Sequence, residues 1–530
     1  MSDIKDNKIE VEWHEVDKIL SDLKTNHKHT IEVKREAIPI VFVPGVMGSV
    51  LRRAGSQYST DDVVGDRVDA GLPNKRWSTN VTYLAPNYSN EPAAHRRRML
   101  VGIGRAKFDN NYLIVDEQDP VGNGFSGVCE NEYHSFLKYL QKPGLFRPLN
   151  KFFELPVYAV GYNWTASNKD SGEKLHKRIK EIIAEARSVT GKCEKVIVIT
   201  HSMGGLVSRH ASEVAGAQSN ILGIIHGVQP VTGAATAFWR IKAGFEGNFI
   251  ASNILGPSAR SVTPILGSLP GGLQLLPNKH YRDNNGNKEW LTVTENGKIT
   301  KLLPKSNVYD DIYRIKGTND EWTNGKRKYW GLVDPDLLDP AGNPVPGNDP
   351  NDRNSLANDA HFENVWEAYL KLLKQAEVFH DTLGVGAHPN TYTFHGIYRG
   401  AFGGVHRNTC DHVYFKVTKD FKKWKQYEKR TFKARFRVTD PTGNPGRLAV
   451  MQASGDNNDT GVMATGDGTV PVSSATALDR GAQQIPAPAD FDTEHVPAYK
   501  SDDARKFVVQ AIIAICAKRY EEKRGKKIVK

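Results

Sequence analysis

The stretch KVIVITHSMGGLV at residues 195–207 predicts a strand, a sharp turn and a helix in immediate succession. The β-branched run at 196–199 is typical of a strand that is buried on both faces of a sheet. Gly204 and Gly205 let the following helix pack close to that strand. Ser202 lies between the two elements, where a strained turn lifts the serine hydroxyl above the sheet. The stretch therefore predicts a nucleophile elbow.

Thr200 departs from the Gly-x-Ser-x-Gly pattern of such elbows, in which glycine is usual at this position. The turn is tight there, and a β-branched side chain fits less easily than glycine. Because a bare Ser-x-Gly sequence is a weak signal, an ordinary strand-to-helix turn is the alternative interpretation. The N–H of Met203, directly after Ser202, is the expected donor to an oxyanion.

A second glycine-bearing turn follows an earlier apolar run, in the stretch IPIVFVPGVMGS at residues 38–49. Where a nucleophile elbow is present, the loop after an early central strand supplies a further oxyanion N–H. Gly45 and Gly48 allow the backbone to approach a ligand closely. We expect the N–H groups of Val46 and Met203 to form the oxyanion hole. Taken alone, the stretch is equally typical of a plain buried strand with a Pro-Gly turn.

Two loops late in the chain supply candidate partners for Ser202. Asp467 lies between two glycines in TGDGTVP at 465–471, a tight turn that suits an acid which must hold a histidine in one tautomer. His495 follows in FDTEHVPAY at 491–499. We predict that Ser202, Asp467 and His495 are nucleophile, acid and base, in the chain order of α/β-hydrolases. An ordinary Asp-Gly hairpin turn is the alternative at Asp467.

The chain has 17 histidines that compete for the role of base. His201 neighbours the serine, but a strand-to-helix turn points its ring elsewhere. Four others precede the acid loop and break the chain order: His380, His388, His395 and His406. The order therefore favours His495.

Strands and helices alternate between residues 38 and 215. One helix is predicted to begin at a cap, Asp170, and to end at Gly191, directly before the elbow strand. Such alternation is typical of a parallel sheet with crossover connections. We expect an α/β-hydrolase fold, with a central, mostly parallel sheet, helices on both faces, a cap or lid and a β insertion.

The expected organisation has six segments. They are a charged N-terminal lead-in (1–35), the first part of the hydrolase core (36–235), a cap or lid with a loop-rich insertion (236–390), a core strand (391–404), a small β insertion (405–455) and the C-terminal part of the core with the Asp and His loops (456–530).

Residues 238–276 are rich in glycine, serine and apolar side chains, as expected of a cap that covers an acyl groove. Core-packing helices are the alternative interpretation of this segment. Alternating patterns at 412–417 and 431–438, with a third strand at 447–452, predict the antiparallel strands of the β insertion.

Composition excludes several classes of site. The chain has 530 residues, 39% of them hydrophobic, which suits one large enzyme domain with insertions or two to three domains. The four cysteines include no Cys-x-x-Cys, so neither a zinc site nor a dense disulfide scaffold is expected. We expect reduced thiols, with a single disulfide bridge as the alternative. The acidic stretch at 334–354 lacks EF-hand spacing. We expect no metal and no cofactor.

The first twenty residues are charged and lack the apolar region of a signal peptide, and no run of 18 apolar residues occurs. We expect a chain made in the cytoplasm, any export of which would use another route. Its net charge is +11, without a nucleic-acid-binding motif, so no nucleic acid partner is expected. Basic clusters at 95–98 and 518–530 are typical of solvated surface; with a phospholipid substrate they would hold the protein on an anionic membrane surface.

Four motifs together resemble the lecithin:cholesterol acyltransferase and PGAP1-like groups of α/β-hydrolases. They are Pro44-Gly45-Val46-Met47-Gly48-Ser49, His201-Ser202-Met203-Gly204-Gly205, Gly466-Asp467-Gly468-Thr469-Val470 and Glu494-His495. A further motif, Gly161-Tyr162-Asn163-Trp164, resembles the Gly-Tyr-Asp-Trp segment of the first group. The resemblance leaves out residues 50–150, 278–360 and 405–460. It implies the catalytic and oxyanion roles given above, and acyl esters of lipids as substrates.

A basic lipase of this size without a leader is also similar to the antibacterial lipase effectors of type VI secretion systems. This resemblance implies delivery into the periplasm of a target cell and a cognate immunity protein. The partners expected are thus a phospholipid or other acyl-ester lipid, a membrane surface that is bound peripherally, and an immunity protein.

The predicted function is a serine lipase or esterase, and more narrowly a phospholipase, that works through an acyl-enzyme. Two alternatives stay open. One is an acyltransferase or a glycolipid-anchor deacylase with the same triad. The other is a non-enzymatic binding protein on a hydrolase scaffold.

Overall fold

The structure is a computed structural model. It describes residues 8–13, 30–53, 76–77, 113–115, 123–147, 149–244, 259–295, 297–317, 330–338, 365–398, 409–417, 437–438, 449–453, 464–479 and 488–525.

The strands of the described residues, in chain order, are β1 (Lys8–Glu12), β2 (Thr30–Lys34), β3 (Glu36–Ala37), β4 (Ile40–Val43), β5 (Leu51–Arg53), β6 (Arg76–Trp77), β7 (Leu113–Val115), β8 (Phe153–Glu154), β9 (Val157–Ala159), β10 (Val196–His201), β11 (Ile221–Gly227), β12 (Leu291–Glu295), β13 (Lys298–Leu303), β14 (Thr391–Gly396), β15 (Val413–Val417), β16 (Arg437–Val438), β17 (Ala449–Ala453) and β18 (Ala489–Phe491).

The α-helices are α1 (Glu130–Leu140), α2 (Asn168–Thr190), α3 (Gly204–Arg209), α4 (Ala235–Ala243), α5 (Ala259–Leu266), α6 (Pro270–Leu273), α7 (Pro335–Leu338), α8 (Val365–Leu383), α9 (Val472–Ala475) and α10 (Asp502–Gly525). Two π-helical segments, His210–Val214 and Tyr309–Tyr313, and three short 3-10 helices, Phe125–Gly127, Ala217–Asn220 and Ala498–Lys500, complete the helical structure described.

The central sheet has six strands in the order β18-β14-β11-β10-β4-β9, and every neighbouring pair is parallel. The elbow strand β10 lies between β4 and β11, and all six of its residues are buried. Parallel strands need crossover connections, which here are the helices that separate them in the chain. The predicted parallel sheet is confirmed.

Alternate residues of β10 face two separate hydrophobic clusters. Val196 and Val198 pack with apolar residues of α2 and α3 on one face. Ile197 and Ile199 pack with apolar residues of α1 and α10 on the other face. Because successive side chains of a strand point to opposite faces, one run of β-branched residues supports helices on both sides.

Helix α2 begins two residues before the predicted cap. Ser167 is the N-cap, and its Oγ accepts a hydrogen bond from the Lys169 N–H at 3.2 Å. Asp170 lies inside the first turn, where its charge suits the helix dipole. Gly191 ends the helix in the left-handed conformation, with φ 77°, and donates to Arg187 O. The predicted end is confirmed and the predicted cap is wrong, because a hydroxyl three residues earlier reaches the free N–H first.

A second sheet has five strands in the order β13-β12-β15-β17-β16. Strands β15, β16 and β17 lie within residues 405–455, where a β insertion is predicted. Strands β12 and β13 come from a region predicted to be loops, and β12 pairs with β15 in parallel. The sheet shares its own hydrophobic cluster with α4 and α8, in which Phe238, Trp290 and Phe415 are buried.

The described part of the predicted cap packs as core. Phe238 and Trp239 of α4 are fully buried, and Ile265 and Leu269 pack into the cluster on the α2 face of the central sheet. This agrees with the alternative of core-packing helices. Residues 245–258, which carry the other apolar side chains of this segment, lie outside the described residues.

The charged lead-in contributes a two-stranded parallel pair, β1 with β2. Trp13 is buried after β1 and stacks on Tyr520 of α10 at a ring-centroid distance of 4.8 Å. Arg519 of the same helix pairs with the buried Glu36 at 2.6 Å. Helix α10 therefore packs against Trp13 and pairs with Glu36, at the start of the core.

None of the helices described here is both long and apolar enough to cross a membrane. Within the same residues, no group of three or more metal-ligating side chains is placed to hold an ion. The four cysteines are buried and form no disulfide with one another.

Glu377 is the polar link between α8 and the Tyr309–Tyr313 segment. Its carboxylate accepts hydrogen bonds from Asn307 Nδ2 at 3.0 Å, Arg314 Nη2 at 2.5 Å and Lys374 Nζ at 3.0 Å. Burial alone would raise the pKa of Glu377, but these three donors lower it to about 2 from its ordinary 4.5. A carboxylate with a lowered pKa stabilises the fold above its unfolded pKa.

Glu377→Gln should therefore lower the free energy of unfolding at pH 7 by roughly 1–3 kcal/mol, as expected for hydrogen bonds to a charged group. The difference from the natural protein should shrink as the pH falls from about 4.5 toward about 2, where the natural carboxylate is protonated in both states. Thermal unfolding across this pH range measures the difference. Glu521→Gln, at an exposed position of α10, is the control; a gap that stays constant with pH contradicts the prediction.

Candidate active site

Ser202 occupies a strained turn between β10 and α3. Its φ is 52°, in the left-handed region that non-glycine residues seldom adopt. Two backbone hydrogen bonds hold the turn: the Ser202 N–H donates to Gly227 O at 3.0 Å, and the Gly205 N–H donates to Ser202 O at 2.9 Å. The predicted elbow is therefore present as a strand, a strained turn and a helix.

Gly204 is required by the close approach of another backbone. A Cβ at this position would lie 2.4 Å from Pro44 O and 2.7 Å from Val43 O. Both carbonyls belong to the end of β4 and the turn after it, so the elbow and this turn pack backbone against backbone. The contact brings the two predicted oxyanion segments together.

Thr200 fits this elbow because its side chain has a partner on the next strand. The residue is fully buried, and its Oγ1 lies 2.8 Å from His226 Nδ1 on β11. Its carbonyl accepts a hydrogen bond from Tyr499 Oη at 2.7 Å. The departure from the usual glycine is thus accommodated by a buried hydrogen bond.

The structure brings the three predicted triad side chains into one hydrogen-bonded chain. His495 Nε2 lies 2.8 Å from Ser202 Oγ, and His495 Nδ1 lies 2.7 Å from Asp467 Oδ2. All three residues are less than one-tenth exposed. The remaining carboxylate oxygen, Oδ1, accepts the N–H groups of Thr469 at 2.9 Å and Val470 at 2.7 Å.

These partners fix the tautomer of His495. An ionised Asp467 only accepts hydrogen bonds, so the Nδ1 of His495 carries the proton and donates it. The Nε2 is then an acceptor for the hydroxyl of Ser202. This arrangement lets the imidazole take the proton of the serine, and it is the geometry of a serine hydrolase.

Backbone contacts tie the acid loop to the histidine loop. The His495 N–H donates to Asp467 O at 2.9 Å. Gly396, at the end of β14, lies under both loops: a Cβ there would be 2.5 Å from Thr493 O and 2.8 Å from Asp467 Cβ. The carboxyl end of β14 therefore supports both loops.

Residues of the insertions also hold the acid loop. Thr409 Oγ1 accepts from the Gly468 N–H at 2.8 Å, and Asn284 Nδ2 donates to Thr465 O at 2.8 Å. Arg240 Nη2 reaches Thr469 Oγ1 at 3.4 Å. Burial lowers the pKa of the Arg240 guanidinium to about 10, an effect that the nearby carboxylate of Asp467 opposes. None of these supports was predicted, because none has a local motif.

The two predicted oxyanion donors lie on segments that contact each other. Met203 follows Ser202 directly and is fully buried. Val46 lies in a turn closed by a hydrogen bond from the Gly48 N–H to Gly45 O at 3.0 Å. A Cβ on Gly45 would come within 3.0 Å of Ser202 Cβ. The peptide units around Val46 thus lie directly beside the candidate nucleophile.

Sequence reasoning missed the contacts of His201 and Tyr133. His201 lies 2.9 Å through Nε2 from the backbone oxygen of His495, and 3.0 Å through Nδ1 from Tyr133 Oη. Burial, and then the positive charge that His495 can carry, lower the pKa of His201 to about 3. The position beside the nucleophile was a signal for His201, whereas nothing marked Tyr133, which is 68 residues away.

The comparisons with known proteins agree with this architecture. Residues 158–245, which contain the elbow, match the family described as "PGAP1-like alpha/beta domain". The fold also matches a chain of the solved Tle4–Tli4 complex, with a TM-score of 0.65 and 19% identity, over 91% of this chain and 99% of that chain. The chain has an α/β-hydrolase fold.

Weaker structural matches add nothing to the assignment of the fold. Phospholipase PlaB from Legionella pneumophila, solved alone and with thio-NAD, is 15% identical over 61% of this chain and over 78% and 76% of the PlaB chains. The TM-scores of 0.17 and 0.18 are too low to indicate a shared fold. No curated protein matches the hydrolase sequence.

Gly204→Ala should destabilise the protein by about 1–3 kcal/mol, the usual cost of overpacking, because the new methyl group meets two backbone carbonyls that cannot rotate away. Denaturant unfolding measures the difference. Gly386→Ala is the matched control, since a Cβ there meets nothing within 4 Å. Equal stabilities of the two variants would contradict the close approach between the elbow and the turn after β4.

Proposed function

We propose that this protein is a serine lipase that hydrolyses acyl esters of lipids, and more narrowly a phospholipase. One observation carries the proposal: the chain of hydrogen bonds from Ser202 through His495 to Asp467, at 2.8 and 2.7 Å, on a strained elbow of an α/β-hydrolase fold. A mere scaffold has no need to keep a serine in this strained conformation beside an oriented imidazole.

The chemistry follows from the orientation of His495. Its Nε2 takes the proton of Ser202 as Oγ attacks the ester carbonyl carbon, and the N–H groups of Val46 and Met203 stabilise the oxyanion. The tetrahedral intermediate collapses, and His495 gives its proton to the leaving alcohol. Water, deprotonated in turn by His495, then attacks the acyl-enzyme; as the fatty acid is released, His495 returns this proton to Ser202 Oγ. Asp467 holds the imidazole and stabilises its charged form. No cofactor takes part.

A lipid substrate and a protein partner are supported by resemblance and by charge. The motifs resemble lipid-ester hydrolases, and the net charge of +11 suits peripheral binding to an anionic membrane. The chain that matches this fold over 99% of its length was solved in a complex, Tle4–Tli4. On its resemblance to the antibacterial lipase effectors of type VI secretion systems, we propose that this protein is such an effector, acts in the periplasm of a target cell and binds an immunity protein.

The proposal assigns different roles to different segments of the chain. The core consists of residues 36–235, 391–404 and 456–530, and it carries the chemistry. We propose that residues 236–390 are a loop-rich insertion and 405–455 a small β insertion, which hold the acid loop through Arg240, Asn284 and Thr409. The five-stranded second sheet joins these two insertions.

Ser202→Ala should abolish release of free fatty acid from phospholipid vesicles, with a loss in kcat of about three orders of magnitude or more, because it removes the hydroxyl that lies 2.8 Å from His495 Nε2. Vesicles of phosphatidylethanolamine and phosphatidylglycerol, with mass spectrometry of the lysophospholipids formed, measure the rate and assign the ester position. Ser208→Ala is the matched control. It lies on the same helix, and its hydroxyl has no hydrogen-bond partner among the described residues.

Fatty acid release that persists in Ser202→Ala overturns the proposal. Acyl transfer to an added alcohol, in place of release, identifies an acyltransferase. Failure of a fluorophosphonate probe to label the folded natural protein identifies a binding protein on a hydrolase scaffold.

Asp467→Asn should lower kcat by about 10²–10⁴-fold with little change in KM, because an amide in place of the carboxylate leaves the imidazole in the wrong tautomer. Steady-state hydrolysis of a soluble ester separates the two constants. Asp503→Asn, at an exposed position in the first turn of α10, should leave both unchanged. A larger effect on KM than on kcat would show that Asp467 acts in binding instead.

A further inference from the structure

We propose that Tyr133 and His201 are positioning residues, which tie the backbone of His495 to the turn at 44–48 and so keep the base and the oxyanion donors at a fixed spacing. The proposal rests on the proposed function, since it concerns the same site. It assigns a role to the residue before the nucleophile and to a tyrosine on α1 that no sequence motif includes.

Three hydrogen bonds connect the two segments without a break. His201 Nε2 lies 2.9 Å from His495 O, His201 Nδ1 lies 3.0 Å from Tyr133 Oη, and the Gly45 N–H donates to Tyr133 Oη at 3.2 Å. All three bonds are buried, where water does not compete for the same groups. The connection therefore runs from the loop that carries His495, through His201 and Tyr133, to the turn at 44–48.

The chemistry of the end groups fixes every proton in this chain. The carbonyl oxygen of His495 only accepts, so the Nε2 of His201 carries a proton and donates it. The Nδ1 of a neutral His201 is then an acceptor, and the hydroxyl of Tyr133 donates to it. The Tyr133 oxygen keeps a lone pair free, which accepts the Gly45 N–H. Each group has one compatible partner, so the chain has one arrangement.

Burial keeps both residues in the neutral forms that this arrangement needs. It lowers the pKa of His201 to about 3 and raises the pKa of Tyr133 far above its ordinary value. The other titratable groups that act on the pKa of His201 are His495, whose positive charge would lower it, and Asp467, whose negative charge raises it. Neither residue therefore serves as a proton carrier, which leaves positioning as the role.

Aromatic packing fixes the two rings. Tyr133 packs on Phe42 of β4 at a centroid distance of 4.9 Å, and His201 packs edge-on against Tyr499 at 5.9 Å. A Cβ on Gly45 would lie 2.8 Å from His201 Nδ1, so the turn is in direct contact with the imidazole. A shift of either ring would move the turn at 44–48 or the loop of His495.

The expected consequence is a loss of rate without a loss of binding. A displacement of about 1 Å in a catalytic group costs up to about 10²-fold. His495 must also protonate an alkoxide leaving group, whereas a nitrophenolate leaves without a proton. Misplacement of His495 therefore harms the hydrolysis of an alkyl ester more than that of a nitrophenyl ester with the same acyl chain.

Tyr133→Phe is the first test. It should lower kcat for an alkyl ester by about 10–100-fold, lower kcat for the matched p-nitrophenyl ester less, and leave KM unchanged. The fraction of sites titrated by a fluorophosphonate should stay at the natural value. Tyr139→Phe is the matched control, because Tyr139 lies on the same helix outside the hydrogen-bonded chain.

A second pair of variants tests the proposal even when Tyr133→Phe does not fold. His201→Gln can still donate to His495 O and accept from Tyr133 Oη, whereas His201→Leu can do neither. His201→Gln should retain several-fold more activity on the alkyl ester than His201→Leu. The double variant Tyr133→Phe/His201→Leu should be no slower than His201→Leu alone, since one break already disconnects the chain.

Three outcomes overturn the proposal while the proposed function stands, that is, while the natural protein is labelled and active and Ser202→Ala is not. The first is a Tyr133→Phe variant with the activity of the natural protein. The second is an equal loss of kcat on both esters, together with fewer sites titrated by the fluorophosphonate. The third is a double variant in which the losses of activation free energy of the two single variants simply add. Failure of the proposed function itself is seen separately, as absence of labelling and of hydrolysis in the natural protein.

Discussion

The contact between two backbones, at Gly204 on one side and the carbonyls of Val43 and Pro44 on the other, is the constraint on which the site depends. It is available only because β4 and β10 are parallel neighbours that end at the same edge of the sheet. Any side chain at Gly204 would separate them. The strained turn of Ser202, the turn at 44–48 and the hydrogen bonds of His201 all lie around this contact, so the sheet topology sets the spacing between the candidate nucleophile and the proposed oxyanion donors.

Most of the central fold could be predicted because its signals are local. The β-branched run of β10 and the left-handed end of α2 at Gly191 are each encoded within a few residues. The second sheet was harder to predict from the sequence. The pairing of β12 with β15 joins positions more than a hundred residues apart. No local pattern specifies a pairing of that range.

The same distinction holds for the site. Ser202, Asp467 and His495 could be predicted because each lies in a short motif and the three follow a known chain order. Tyr133 and Thr409 could not, because their contribution is a single hydroxyl that reaches the site from a distant segment. His226 explains why Thr200 replaces glycine, and this also depends on a neighbouring strand. The sequence thus points to the candidate reacting groups, and the structure shows what holds them.

The acid loop at 465–471 is held from two parts of the fold, and this has a consequence for how the protein fluctuates. Asp467 contacts His495, on the loop after β18, while Thr409 and Asn284 hold the backbone of the acid loop from the insertions. The second sheet packs on a hydrophobic cluster of its own, and regions with separate clusters are the kind of unit that opens locally. Such an opening would free the acid loop and leave the serine elbow folded. Activity would then be governed by the local stability of the insertions, and a ligand that clamps or loosens them would act on the triad without touching it.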